Sequence, residues 1–197
     1  MGRHREFDPD QALDAAMAVF WRKGYEGASY ADLVAATGVE RPALYKAFGN
    51  KAALFRLALA RYSERYWDYM PAALAQPTAR QVVADMLKGA VELSTRYPDR
   101  TGCLGINGAL AASDDAEPAR QALITARADG EAALRARFEQ AQREGDLPKT
   151  ADPAVLAAYF MAVMHGMAVQ AKAGFAREKL LAVAKQAMQS LPSGKER

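Results

Sequence analysis

Residues 29–51 read SYADLVAATGVERPALYKAFGNK, and their punctuation decides the fold. Ser29 opens a helix, with Asp32 three residues later, a start pattern in which short side-chain oxygens satisfy first-turn N–H groups. Gly38 ends that helix, because glycine enters the left-handed conformation at little cost. A further helix begins around Glu40 and runs to about Ala47. Gly49-Asn50 interrupts it, and Asn50 caps the next helix from Lys51. Leu44 and Phe48 are four residues apart and face inward with Val39 and Leu33. The opposite face then presents Arg41, Pro42, Ala43, Tyr45 and Lys46. A helix, a tight Gly38-Val39 turn and a second short helix form a helix-turn-helix, whose last helix would lie in a DNA major groove.

Charge around this stretch is segregated rather than abundant. From Arg41 to Ser63 there are five basic residues (Arg41, Lys46, Lys51, Arg56, Arg61) and no acid. Residues 1–51 carry seven basic and seven acidic side chains and no net charge. A site-specific binder limits purely electrostatic attachment in this way.

The rest of the chain carries the same helical punctuation. Asp8-Pro9 opens the first helix, with Gln11 three residues on and a stripe of Leu13, Ala16, Met17 and Phe20, and Gly24 stops it. The fourth helix is expected over Lys51–Met70, ended by Pro71. Thr78 caps one that ends before Pro98. A short helix is expected within Gly102–Ala112, then helices over about Ala116–Glu144, Pro153–Ala173 and Arg177–Leu191, with a fraying tail from Pro192. An all-α protein of about nine helices results. Composition agrees: 44 alanines stand against 18 β-branched residues among 197, which disfavours a large sheet. The expected domains are a helix-turn-helix domain over 1–50, with the motif at about 29–48, and a second helical domain over 51–197.

Several classes are set aside. Residues 1–10 are polar and charged, with no apolar run of a secretory signal. The uncharged run between Asp152 and Lys172 is long enough for a membrane span. Its alanines, Pro153, His165, Gly166 and Gln170 fit a helix buried on two faces better. No membrane association is expected, and a cytoplasmic location is, on the nucleoid when DNA-bound. One cysteine excludes an internal disulfide framework. No cofactor or metal is expected, because His165 lacks partners at ligand spacing, and Gly102, Gly105 and Gly108 match no phosphate-binding fingerprint.

Residues 39–51, VERPALYKAFGNK, resemble the recognition helix and following turn of the tetracycline-repressor family of bacterial transcription regulators. The preceding GYEGASYADLVAATGV resembles that family's second helix and turn. The resemblance implies that Ser29 and Tyr30 contact backbone phosphates, and that Arg41 occupies a variable base-reading position. A guanidinium there favours guanine through O6 and N7. Pro42, Ala43 and Tyr45 would touch thymine methyls or sugars, although Tyr45 also reads as a core aromatic. Lys46 would reach a base or a phosphate, and Lys51 resembles the phosphate anchor. Arg3 and Arg5 read either as an arm to the backbone or minor groove, or as a disordered tail.

The resemblance further implies a homodimer on a palindromic double-stranded operator, and release by a small molecule. The last two long helices resemble the dimerisation pair. Leu156, Tyr159, Phe160, Val163, Met164 and Met167, with the small Ala157, Ala158, Ala162, Ala168 and Ala171, give more apolar surface than one face needs. Candidate lining for an effector pocket is Tyr66, Trp67, Met70, Met86, Cys103, Phe138 and His165, each of which also reads as ordinary core. The effector is expected to be small and apolar, or electrophilic. Cys103, in TGCLGINGALAAS, resembles the Gly-Cys-Leu segment of a subgroup that includes electrophile-sensing repressors. It reads either as a buried small hydrophobe or as a thiol sensor, with Arg96 and Arg100 upstream. A Cys103-dependent enzyme would need a general base, and His4 and His165 are the two histidines. The acidic Asp114, Asp115 and Glu117 read better as a helix start. The expected protein is a regulator, not an enzyme.

Overall fold

The computed structural model describes residues 7–107 and 116–192, and all regular structure among them is helical. Ten α-helices are present among the described residues, with 3₁₀ turns at Pro98–Arg100 and Met188–Ser190. The chain forms two compact units. The first takes residues up to Arg65 together with Leu104–Ile124, and the second takes Tyr66–Cys103 and residues from Thr125 onward.

The first unit contains α1 (Pro9–Gly27), α2 (Tyr30–Thr37), α3 (Arg41–Phe48), α4 (Lys51–Tyr66, through Arg65) and α7 (Leu104–Asn107). It also takes the start of α8 (Glu117–Glu144), through Ile124. Asp8 caps α1 as expected, its Oδ1 accepting from the Asp10 and Gln11 N–H groups at 2.9 and 3.4 Å. Gly24 breaks the helix with φ 72°, a left-handed value that glycine adopts at little steric cost. Asn107 packs against this break, and its side chain donates to the Trp21 carbonyl at 2.9 Å. Phe55 meets Phe20 and Tyr25 edge-on at 5.1 and 5.3 Å between centroids, and Trp21 meets Tyr62 edge-on at 4.7 Å. Around these rings, Arg61 donates to Asp10 and Asp14 at 2.5 and 3.0 Å, and Arg65 to Asp14 at 2.7 Å. These pairs clamp α4 to α1.

The second unit contains α5 (Tyr69–Leu74), α6 (Ala79–Thr95), the remainder of α8, α9 (Pro153–Lys172) and α10 (Arg177–Ala187). Met86, Leu134, Phe138, Phe160, Met164 and Leu180 share its buried core. The expected fourth helix over Lys51–Met70 is corrected here: α4 ends at Tyr66 and a separate α5 follows, so ten helices replace nine. Pro71 therefore sits in the first turn of α5, where its missing N–H has no intrahelical partner to lose. Thr78 caps α6 through the Gln81 N–H at 3.2 Å, and Asp146 accepts from the Ala79 N–H at 2.5 Å. Asp152 caps α9 through Ala154 and Val155 at 2.9 and 3.2 Å. The buried Arg137 donates to the Leu74, Gln76 and Pro77 carbonyls, which ties down the α5–α6 connection. Glu92 of α6 and Arg177 of α10 form an ion pair.

Helix α9 has the length and apolar content of a membrane span. Its Ala157, Phe160, Met161, Met164, Met167, Ala168 and Ala171 are instead buried within the unit. Of the short helix expected within Gly102–Ala112, Leu104–Asn107 is present, and residues 108–112 lie outside the described residues. The tail beyond Pro192 also lies outside them.

Two glycines test this packing. A Cβ on Gly24 would lie 2.7 Å from the Asn107 carbonyl oxygen, at a backbone angle that disfavours side chains. Gly24→Ala is expected to cost about 1–3 kcal/mol in urea unfolding. A Cβ on Gly89 would overlap the Tyr69 ring. Gly89→Ala is expected to lose about 1–3 kcal/mol, and Gly89→Ala with Tyr69→Leu to recover part of it.

Candidate nucleic-acid interface

The reading element is built from short-range bonds. The Ser29 hydroxyl accepts from the Asp32 N–H at 3.1 Å, and the Asp32 carboxylate accepts from the Ser29 N–H at 3.0 Å and hydroxyl at 2.7 Å. This reciprocal box starts α2. Lys23 donates to the same carboxylate at 2.6 Å, and these bonds hold Asp32 well below the usual carboxylate range. At the other end Gly38 takes φ 66°, its N–H donating to the Val34 carbonyl at 2.9 Å. Thr37 closes the turn, its hydroxyl donating to Leu33 at 2.7 Å and accepting from Val39 at 3.2 Å. Leu33, Val39 and Leu44 are buried, and Phe48 is half-buried against Phe7 at 6.5 Å. The Gly49 N–H ends α3 on the Tyr45 carbonyl at 2.8 Å, and Asn50 caps α4 through Ala53 at 2.8 Å.

The outward side of α3 carries the side chains expected there. Arg41, Pro42 and Lys46 are exposed, and Ala43 and Tyr45 half-buried. Tyr30, at the start of α2, lies edge-to-face with Tyr45 at 5.3 Å. The Arg41 guanidinium lies 4.0 Å over the Tyr30 ring and 5.2 Å from the Tyr45 ring. Burial and a hydrogen bond with Tyr45 push the Tyr30 phenol up to about 12, so it is neutral at pH 7. Tyr30, Arg41 and Tyr45 are thus one cluster. Ser29 is exposed beside it, its hydroxyl turned to Asp32.

The other basic residues differ among themselves. Lys51 rests 4.5 Å over the Tyr25 ring, and burial there lowers its pKa. Arg56 is exposed. Arg61, counted in the acid-free run, is neutralised by Asp10 and Asp14 and belongs to the α1–α4 clamp. The run is free of acids in sequence and not in space. Arg3 and Arg5 lie outside the described residues.

The residues expected to line a pocket all fall in the second unit. Met70, Met86 and Phe138 are buried in its core, Phe138 edge-on to Phe160 at 6.2 Å. Trp67 packs against that core with its Nε1 buried and without a hydrogen-bond partner. The His165 Nε2 is buried and equally without a partner. Burial, with the nearby Arg127, pushes His165 down to about 4. Tyr66 meets Tyr97 edge-on at 5.9 Å, and Arg96 lies 5.5 Å over the Tyr97 ring. Cys103 is buried, and its neighbour in charge terms is Tyr69. Sequence reasoning missed Tyr69. Its ring lies against Gly89, its hydroxyl is 3.9 Å from the Met164 sulfur, and burial pushes its pKa up. The available signal was Gly89 itself, a glycine inside the periodic α6, which marks a close approach.

Known proteins share this arrangement. Residues 12–58 match the family model of bacterial regulatory proteins, tetR family, and residues 79–188 that of the tetracyclin repressor-like C-terminal domain. The HTH-type transcriptional repressor ComR of Escherichia coli is 36% identical over 185 residues, spanning 93% of this chain and 88% of ComR. A cysteine-substituted form of the TetR family transcriptional regulator CifR, solved with 26-base-pair double-strand operator DNA, has a TM-score of 0.90 at 40% identity. That match covers 97% of this chain and 100% of CifR. A putative TetR transcriptional regulator from Rhodococcus sp. RHA1 has 41% identity and a TM-score of 0.64, covering 94% of this chain and 100% of its own. ComR and CifR are transcription regulators, not enzymes. On the family models and on the length of the ComR match, the chain belongs to the tetracycline-repressor family of bacterial transcriptional regulators.

Proposed function

We propose that this protein is a cytoplasmic, ligand-responsive repressor that binds a palindromic operator as a homodimer. Residues 1–50 form its DNA reader and residues 51–197 its effector and dimerisation domain. The observation that carries the reading is α3, whose Leu44 is buried while Arg41, Pro42 and Lys46 stand exposed. CifR, at 40% identity over nearly the whole chain, is bound to operator DNA, and ComR is named a repressor. Arg41 is assigned to a guanine edge, and Pro42, Ala43 and Tyr45 to thymine methyls or sugars. Ser29, the backbone start of α2, Lys46 and Lys51 serve phosphates. Two readers about 34–36 Å apart then occupy successive major grooves.

A homodimer has support in α9. Phe160, Met164 and Met167, expected at the partner, fill this chain's own core. The outward stripe is Val155, Ala158, Tyr159, Ala162, Gly166 and Val169, all exposed, at helical spacing. Val155 is 63% and Val169 51% exposed, an apolar strip that a second copy would cover.

The effector reading rests on Trp67 Nε1 and His165 Nε2. A buried polar atom without a partner costs about 1–3 kcal/mol, which a ligand group recovers by pairing with it. A small, mostly apolar molecule with hydrogen-bonding groups suits them. Cys103 is only 8% exposed, which favours a lining role over a freely attacked thiol.

Arg41→Ala is expected to weaken binding to a site selected from random duplexes by about 1–3 kcal/mol and to relax one base position, whereas Lys46→Ala should weaken all sequences and reduce the salt slope by about one. If random-duplex selection with the native protein yields no preferred sequence, the DNA-reading assignment fails. Ala162→Glu should convert dimer to monomer by light scattering and abolish operator binding. The lowered pKa of His165 has a definite sign: the folded state favours neutral imidazole, so its contribution is full above about 6.5 and is lost as pH falls through about 4. His165→Gln should therefore flatten the fall in melting temperature between pH 7 and 4.

A further inference from the structure

The corner formed by Tyr30, Arg41 and Tyr45 has a geometry that a phosphate contact does not require. An arginine on a solvent-exposed helix face ordinarily samples many rotamers, at an entropic cost when binding fixes one. Here the guanidinium lies at 4.0 Å from the Tyr30 centroid, within the range of a cation–π contact. Tyr45 stands edge-to-face to Tyr30, with its own centroid 5.2 Å from the guanidinium. The two rings thus hold one cation between two helices. The acid of α2, Asp32, is occupied by Lys23 and Ser29. A cation held by an aromatic ring keeps its N–H donors for another partner, whereas a carboxylate would consume them.

We propose that Tyr30 is a specificity-determining positioning residue, which sets the Arg41 guanidinium for base reading through its ring rather than serving the operator backbone through its hydroxyl. The proposal rests on the DNA-reading assignment of Arg41. Its physical content is pre-organisation: the stack orders the arginine before DNA arrives, so less freedom is lost on binding the correct base. A hydroxyl–phosphate contact would act equally on every sequence. A ring beneath the base reader acts on the one base position that Arg41 reads.

The test uses the full-length protein and the preferred site it selects from a randomised duplex library, with single-base variants of that site. Tyr30→Leu is expected to lower discrimination at one base position by about 3- to 10-fold, with the salt slope of binding unchanged. Tyr30→Phe keeps the ring and should stay within about 2-fold of the native protein. In an Arg41→Lys background, Tyr30→Leu should add little, because the ring then has no fork to orient. Circular dichroism of each variant reports folding, and Tyr30→Met, which also removes the ring, takes the place of Tyr30→Leu in both backgrounds if that variant does not fold. The proposal is overturned if Tyr30→Phe loses as much discrimination as Tyr30→Leu. It is equally overturned if loss of the ring weakens all sequences alike, or by the same factor with Arg41→Lys as without. Failure of the native protein to select any site would instead strike at the DNA-reading assignment itself.

Discussion

Everything on the outward side of α3 depends on the burial of Leu44 against the inner side of the motif. An eight-residue helix is too short to persist in water by itself. Leu44, 3% exposed, shares the buried side with Leu33 and Val39. That burial fixes the rotation of α3 about its axis, and the rotation decides which residues face out. The turn between α2 and α3 sets the crossing, through the left-handed Gly38 and the two bonds of the Thr37 hydroxyl. A change at Leu44 would therefore alter recognition without touching a reading residue.

Most of the first unit was legible because its signals are local. Asp8, Ser29, Gly38 and Asn50 act within four residues of themselves, so spacing alone locates the ends of α1, α2 and α4. The inward set of α3 followed from helical period. What escaped was pairing across long separations. Arg61 meets Asp10 and Asp14, some fifty residues earlier, and no windowed count of charge can show that an acid-free stretch is neutralised from elsewhere. Lys51 lies on Tyr25 for the same kind of reason.

In the second unit the helices were legible and their rotations less so. Pro71 read as a stop, because proline breaks helix interiors, yet the same residue fits a first turn. On α9 nearly every position is apolar, so composition could not tell the core side from the outward side. Packing with α5 and α6 resolves it: Met164 meets the Tyr69 hydroxyl of α5, and Val155 and Val169 stand in the open. Tyr69 itself was hidden because its importance lies in a neighbour's missing side chain.

The placement of the two tryptophans gives each unit its own optical signature. Trp21 is fully buried, edge-on to Tyr62, so its emission follows the integrity of the first unit alone. Trp67 lies against the core of the second, with its indole N–H enclosed and unpaired. An indole in that state has a transition energy that responds to any hydrogen-bond acceptor brought near it. Replacing either tryptophan by phenylalanine would separate the two signals, making events in one unit visible without a dye and without interference from the other.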